Sequence, residues 1–116
     1  MKIFMISPVR NIDISFLHGV GDEVQALEAQ GHHVYWPLRD TPQERSETDI
    51  CLRNSCEMSG SDAVYVCWDG ESQGCLFDLG MAYAWGKKIV PVVGMVPRMT
   101  AGKSFANLIH ALAELN

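Results

Sequence analysis

The chain lacks the usual marks of a metal site, a membrane span or a nucleic-acid clamp. Its four cysteines, Cys51, Cys56, Cys67 and Cys75, form no Cys-x-x-Cys pair, and His32-His33 stands apart from them. That spacing argues against a zinc site, and neither metal nor organic cofactor is expected. No apolar run approaches the roughly 20 residues of a membrane helix; stretches such as Ile89–Val93 suit strands instead. Cations are scarce as well: nine Lys and Arg face fourteen Asp and Glu, a formal charge of −5. A surface of that sign repels phosphate backbones and anionic lipid, so no nucleic-acid polymer and no membrane is expected as a partner. Internal repeats and low-complexity tracts are absent too.

What is there is one domain's worth of apolar residue: 47% of 116 positions. A chain of this length buries roughly two thirds of its unfolded surface, enough for one core over residues 1–116. The first apolar run, Lys2–Ser7, is too short for a signal peptide and has no small-residue cleavage site, so it reads as a strand. The thiols are then expected to be reduced, and the protein cytoplasmic.

Strand-like and helix-like segments alternate along the chain. Lys2–Ser7, His33–Trp36, Ala63–Trp68 and Lys88–Val93 are short and apolar; Pro37 reads as closing the second, and the third reads as buried on both faces. Between them the spacing predicts helices from Asp13 to about Gln30, over Glu47–Ser59, over Cys75–Trp85 and from Phe105 onward. Leu38–Ser46 reads as the longest loop, and Gly94–Lys103 as another that has room for a short fifth strand. Such alternation predicts a parallel sheet covered on both faces. The expected fold is a Rossmann-like (flavodoxin-like) three-layer sandwich of four to five strands, order 2-1-3-4(-5). Pro91 cannot donate to a ladder, which places its strand at an edge. Ligands of such sheets sit beyond the carboxyl ends of the strands, where the order reverses. The loops at that place are Ser7–Asn11 and Asp69–Gly74.

Two tempting motifs fail. Gly102-Lys103-Ser104 lacks the first glycine of a P-loop, since Pro97 stands there, and reads instead as a helix cap at Ser104. A phospho-acceptor receiver needs acidic residues after the first strand to hold a cation, and Ser7-Pro8-Val9-Arg10 offers none. The segment from Asp69 to Gly80 is more informative. It leads a polar loop into a helix, with Ser72 and Gly74 leaving N–H groups open where an anion is favoured. Asp78 reads as lying in that helix's first turn, where the dipole would keep it ionised and suited to nucleophilic attack. Asn54 shares a stripe with Ile50, Cys51 and Met58, so its amide needs either backbone partners or a ligand.

Ser72-x-Gly74-x-x-x-Asp78-Leu79-Gly80-x-Ala82-x-Ala84-x-Gly86-Lys87, after the strand opened by Asp62-Ala63, resembles the nucleoside 2-deoxyribosyltransferases and the related 2′-deoxynucleoside 5′-phosphate N-hydrolases. The resemblance is strongest over residues 49–93. It implies cleavage of the N-glycosidic bond of a (2′-deoxy)nucleoside or its 5′-monophosphate. A carboxylate attacks the sugar and is resolved by water or a second base, as in a retaining glycosidase. By position the nucleophile is Asp78, where the family usually has Glu, and Asn54 stands where a family Asp helps the departing base. Phe4 replaces a family Tyr. Ser72, in place of the transferases' Asp, implies a 5′-phosphate held with Gly74 and Arg10; Ser7 and Asp69 are further substrate-binding candidates, and Ser104 would come from a second copy of a homodimer or larger homo-oligomer. Asp69 and Glu71, in the same loop, are candidates to take over the acid role. The altered positions leave a second reading, a non-catalytic nucleotide-binding or signalling module on the same fold.

Overall fold

The computed structural model describes residues 1–115. In chain order the elements are β1 (Lys2–Ile6), α1 (Ile14–Ala29), β2 (His33–Tyr35), α2 (Pro37–Asp40), α3 (Glu47–Ser59), β3 (Ala63–Val66), α4 (Gln73–Ala84), β4 (Lys88–Pro91) and α5 (Phe105–Glu114). The four strands form one parallel sheet in the order β2-β1-β3-β4.

Side chains of β1 alternate between two cores, as the period of a strand requires. Ile3 and Met5 meet Val20, Val24 and Leu27 of α1 on one face. Phe4 and Ile6 meet Met58 of α3, Cys75, Leu79 and Ala82 of α4, and Ile109 and Leu112 of α5 on the other. The order reverses between β1 and β3, so the loops after these two strands open at the same end of the sheet. β3 is not sealed on both faces: Tyr65, on the α1 side, stays partly exposed. Pro91 lies in edge strand β4 opposite Val66, where its missing N–H breaks no inner ladder.

Helix ends follow their caps. Asp13, Ser46, Ser72 and Ser104 each accept a hydrogen bond from a first-turn N–H of the helix that follows. The Ser72 cap starts α4 two residues before Cys75, and Pro37 opens α2 rather than closing β2. No fifth strand exists among the described residues. The 94–104 segment is a strap whose backbone is satisfied by α5 side chains: Asn107 Nδ2 donates to the carbonyls of Thr100 and Gly102, and its Oδ1 accepts from Thr100 N. His110 Nε2 lies 3.2 Å from Pro97 O. At its start, Trp68 N donates to Met95 O at 2.8 Å, which continues the β3–β4 edge.

Lys87 acquires a structural role here. Its Nζ donates to Ser59 O and Ser61 O, both at 2.8 Å, and so closes the C-terminal end of α3 with a positive charge. Lys87→Met keeps the stem and removes the charge; urea denaturation should show a loss of about 1–2 kcal/mol.

Candidate active site

The turn between β3 and α4 is built by one carboxylate. Asp69 Oδ1 accepts from Glu71 N at 2.9 Å and Ser72 N at 2.8 Å, and Gly70 takes a φ of 85° to let the chain turn. Trp68 Nε1 donates to Ser72 O at 3.0 Å, and Ser72 Oγ accepts from Cys75 N at 3.4 Å. Asp69 and Ser72 are therefore brought together. Asp69 is committed to backbone donors, and the Ser72 hydroxyl engages Cys75 at both its N–H and its thiol. Gly74, the second residue of α4, is exposed beside them.

Asp78 is the sixth residue of α4, one turn further in than its first-turn assignment. It is partly buried, and no hydrogen bond reaches its carboxyl among the described residues. Burial raises its pKa from the usual 3.8 to about 7. The expectation of a dipole-held carboxylate is thereby corrected: the macrodipole acts within the first turn, and at the sixth residue desolvation wins. Burial also pushes the Cys75 thiol up to about 12; the Ser72 hydrogen bond opposes this, while Asp78 and Asp69 add to it. Both carboxyls thus lie in electrostatic reach of one buried thiol, which is itself inert at neutral pH.

Asn54 finds its partner in a side chain. Thr41 Oγ1 donates to Asn54 Oδ1 at 2.8 Å and lies 2.5 Å from the Tyr35 hydroxyl. Tyr35 is the register partner of Phe4, and their rings stack at 5.8 Å and 26°. Arg53 covers the same tyrosine, 5.7 Å from the ring centre. Cys51 of the expected stripe is exposed. Tyr35 and Thr41 escape the sequence reading because residues 38–46 look like plain loop. The signal was Pro37 followed by Asp40, whose Oδ2 reaches back to Trp36 N at 2.9 Å as a capping box does.

In the first loop, Ser7 Oγ accepts from Trp36 Nε1 at 2.9 Å, which ties β1 to the β2–α2 corner. Arg10 is exposed and makes no ion pair among the described residues. Ser104 caps α5, accepting from Asn107 N at 3.1 Å. A hollow of about 360 Å³ opens beyond the carboxyl ends of the strands, among Asp13, Phe16, Trp68, Asp69, Met95 and Pro97. Of the expected site residues, only Asp69 lines it; Asp78, Asn54, Ser72 and Arg10 do not.

The family model for nucleoside 2-deoxyribosyltransferases matches residues 20–108. The chain belongs to the nucleoside 2-deoxyribosyltransferase family. No curated protein matches it in sequence. Among solved structures, a 2-deoxyribosyltransferase from the psychrotolerant bacterium Bacillus psychrosaccharolyticus superposes with a TM-score of 0.69 at 19% identity, over 97% of this chain and 96% of that one. A conserved protein from Enterococcus faecalis V583 gives 0.64 at 18% identity, over 99% of this chain and 87% of that one. Both likenesses carry the fold.

The span matched to the deoxyribosyltransferase family contains Asn54, Asp69, Ser72, Gly74, Asp78 and Ser104, and begins after Ser7 and Arg10. Family membership places the chain among enzymes of glycosyl transfer to or from nucleosides, small molecules for which no membrane helix is needed; no helix among the described residues is long and apolar enough to span one.

Burial of Asp78 has a measurable consequence. The native protein holds a proton there that the unfolded chain releases between about pH 4 and the native value of about 7. The associated stabilisation is full below pH 4 and is lost as pH rises through 7. Asp78→Asn, which keeps the protonated shape, should leave stability nearly unchanged at pH 4. At pH 8 it should raise stability by roughly 1–3 kcal/mol, read by urea denaturation at both pH values.

Proposed function

We propose that the protein cleaves the N-glycosidic bond of a 2′-deoxynucleoside or its 5′-monophosphate, with Asp78 as the nucleophile. One observation carries this reading: within the family-matched span, a partly buried carboxyl with no hydrogen-bond partner among the described residues lies just beyond the Asp69–Ser72 turn. An Asp78 oxygen bonds to C1′ while the C1′–N bond breaks. The base leaves with that electron pair and takes a proton from solvent or a nearby acid. Water or a second base then attacks C1′ and releases the carboxylate.

Asn54 supports the departing base by hydrogen bonding, since an amide supplies no proton. Ser72 and Gly74 at the start of α4, with Arg10 and Ser7 from the first loop, receive the 5′-phosphate. In a homodimer, Ser104 of the second copy would complete that cradle, and the reaction runs in the cytoplasm without a metal.

The test is base release from deoxynucleosides and their 5′-monophosphates, followed chromatographically. Asp78→Ala should lower it by at least about a hundredfold; equal release by both proteins overturns the nucleophile. Because only the ionised carboxyl attacks, kcat/KM should rise about tenfold per pH unit below 7 and level off above it. Arg10→Ala should raise KM for the monophosphate about tenfold and leave the unphosphorylated nucleoside unaffected. The non-catalytic module is the second reading, favoured by an amide at position 54 where acid help is expected. It requires nucleotide-induced thermal stabilisation with no base release.

A further inference from the structure

The hydroxyls of Tyr35 and Thr41 and the amide of Asn54 form a chain whose direction is decided by its buried end. Tyr35 and Thr41 are 8% and 3% exposed. The Tyr35 hydroxyl has Thr41 Oγ1 as its hydrogen-bond partner among the described residues. Each hydroxyl owns one proton. Were the chain to run from the Asn54 amide through Thr41 to Tyr35, the tyrosine proton would be left buried without an acceptor. It must therefore run from Tyr35 to Thr41 and from Thr41 to Asn54 Oδ1, the last step spanning 2.8 Å.

Each member is also held in place from outside. The tyrosine ring stacks on Phe4 and is also contacted by the Arg53 guanidinium. Thr41 is the C-cap of α2, with Thr41 N donating to Pro37 O at 3.0 Å. Gln43 Nε2 donates to Pro37 O and Thr41 O, which fixes the corner from beyond.

From this we infer that Tyr35 and Thr41 are positioning residues that lock Asn54 as a hydrogen-bond donor toward bound substrate. The relay occupies Oδ1, whereas neither hydrogen of Nδ2 has an acceptor among the described residues, and Asn54 is partly exposed. A site organised this way selects a ligand edge that presents an acceptor, a base carbonyl oxygen or an unprotonated ring nitrogen, and disfavours an exocyclic amine. The inference rests on the placement of Asn54 in the substrate site proposed above. Its orientation half is testable without that placement.

The experiment uses isotope-labelled full-length protein, with the four common deoxynucleoside 5′-monophosphates as probes. In the parent, NMR should show both Asn54 Hδ2 protons exchanging freely with water, and a protected hydroxyl proton at Thr41. Tyr35→Phe keeps the ring and removes the proton source, so Thr41 becomes free to accept and one Hδ2 should become protected. Titration of the same samples should show affinity for the preferred nucleotide reduced about fivefold in Tyr35→Phe and Thr41→Val and retained in Thr41→Ser, which restores the hydroxyl. A parent spectrum with Hδ2 already bonded to Thr41 overturns the relay. A correctly oriented amide whose disturbance leaves all four affinities unchanged, or no binding of any of the four, also overturns the inference, in that case by removing Asn54 from the substrate site.

Discussion

Strand β1 carries the structure because every residue from Ile3 to Ile6 is buried and successive side chains feed opposite cores. Removing any of them opens a cavity on one face or the other, and shifting its register by one residue would exchange the two cores. β1 also sets the layout of the sheet. It pairs with β2 on one side and β3 on the other, so the order reverses at its edge and the two adjoining loops share one end of the sheet. The Ser7 loop and the Asp69–Ser72 turn follow the two strands on either side of that reversal.

Within α4, the local physics works against a charged carboxyl at position 78. Asp78 lies past the reach of the helix N-terminus, and burial brings its ionisation close to neutrality. Asp69, nine residues earlier, spends an oxygen on two backbone N–H groups of its own turn. The two carboxyls therefore divide their roles by environment. One builds the loop, and the other stays without a partner and changes charge where a cell's pH can influence it.

Much of the fold was legible because local signals agreed with the tertiary answer. Ser46 before Glu47 and Gly60 after Ser59 bracket α3, and the structure places that helix at the expected residues. The strand order follows from alternation, right-handed crossovers and Pro91 at an edge. Pro37 misled because proline both ends strands and begins helices, and only the Asp40 side chain turning back to Trp36 N decides between them. The position of Asp78 within α4 depended on where the helix starts, and the Ser72 cap moves that start back by two residues. The Tyr35–Thr41–Asn54 chain was beyond reach, since it joins three elements through side chains that show no periodicity.

Each strand pairing joins distant parts of the chain: β1 meets β3 across residues 3 and 63, and β4 closes the sheet from residue 88 onward. During synthesis, β1 is thus made before both of its neighbours and gains the second only once residues 63–66 exist. Until then its edge is a sticky template for other chains. A polypeptide stalled on the ribosome before Val66 would present that edge to the cell, bare on the side that β3 later covers.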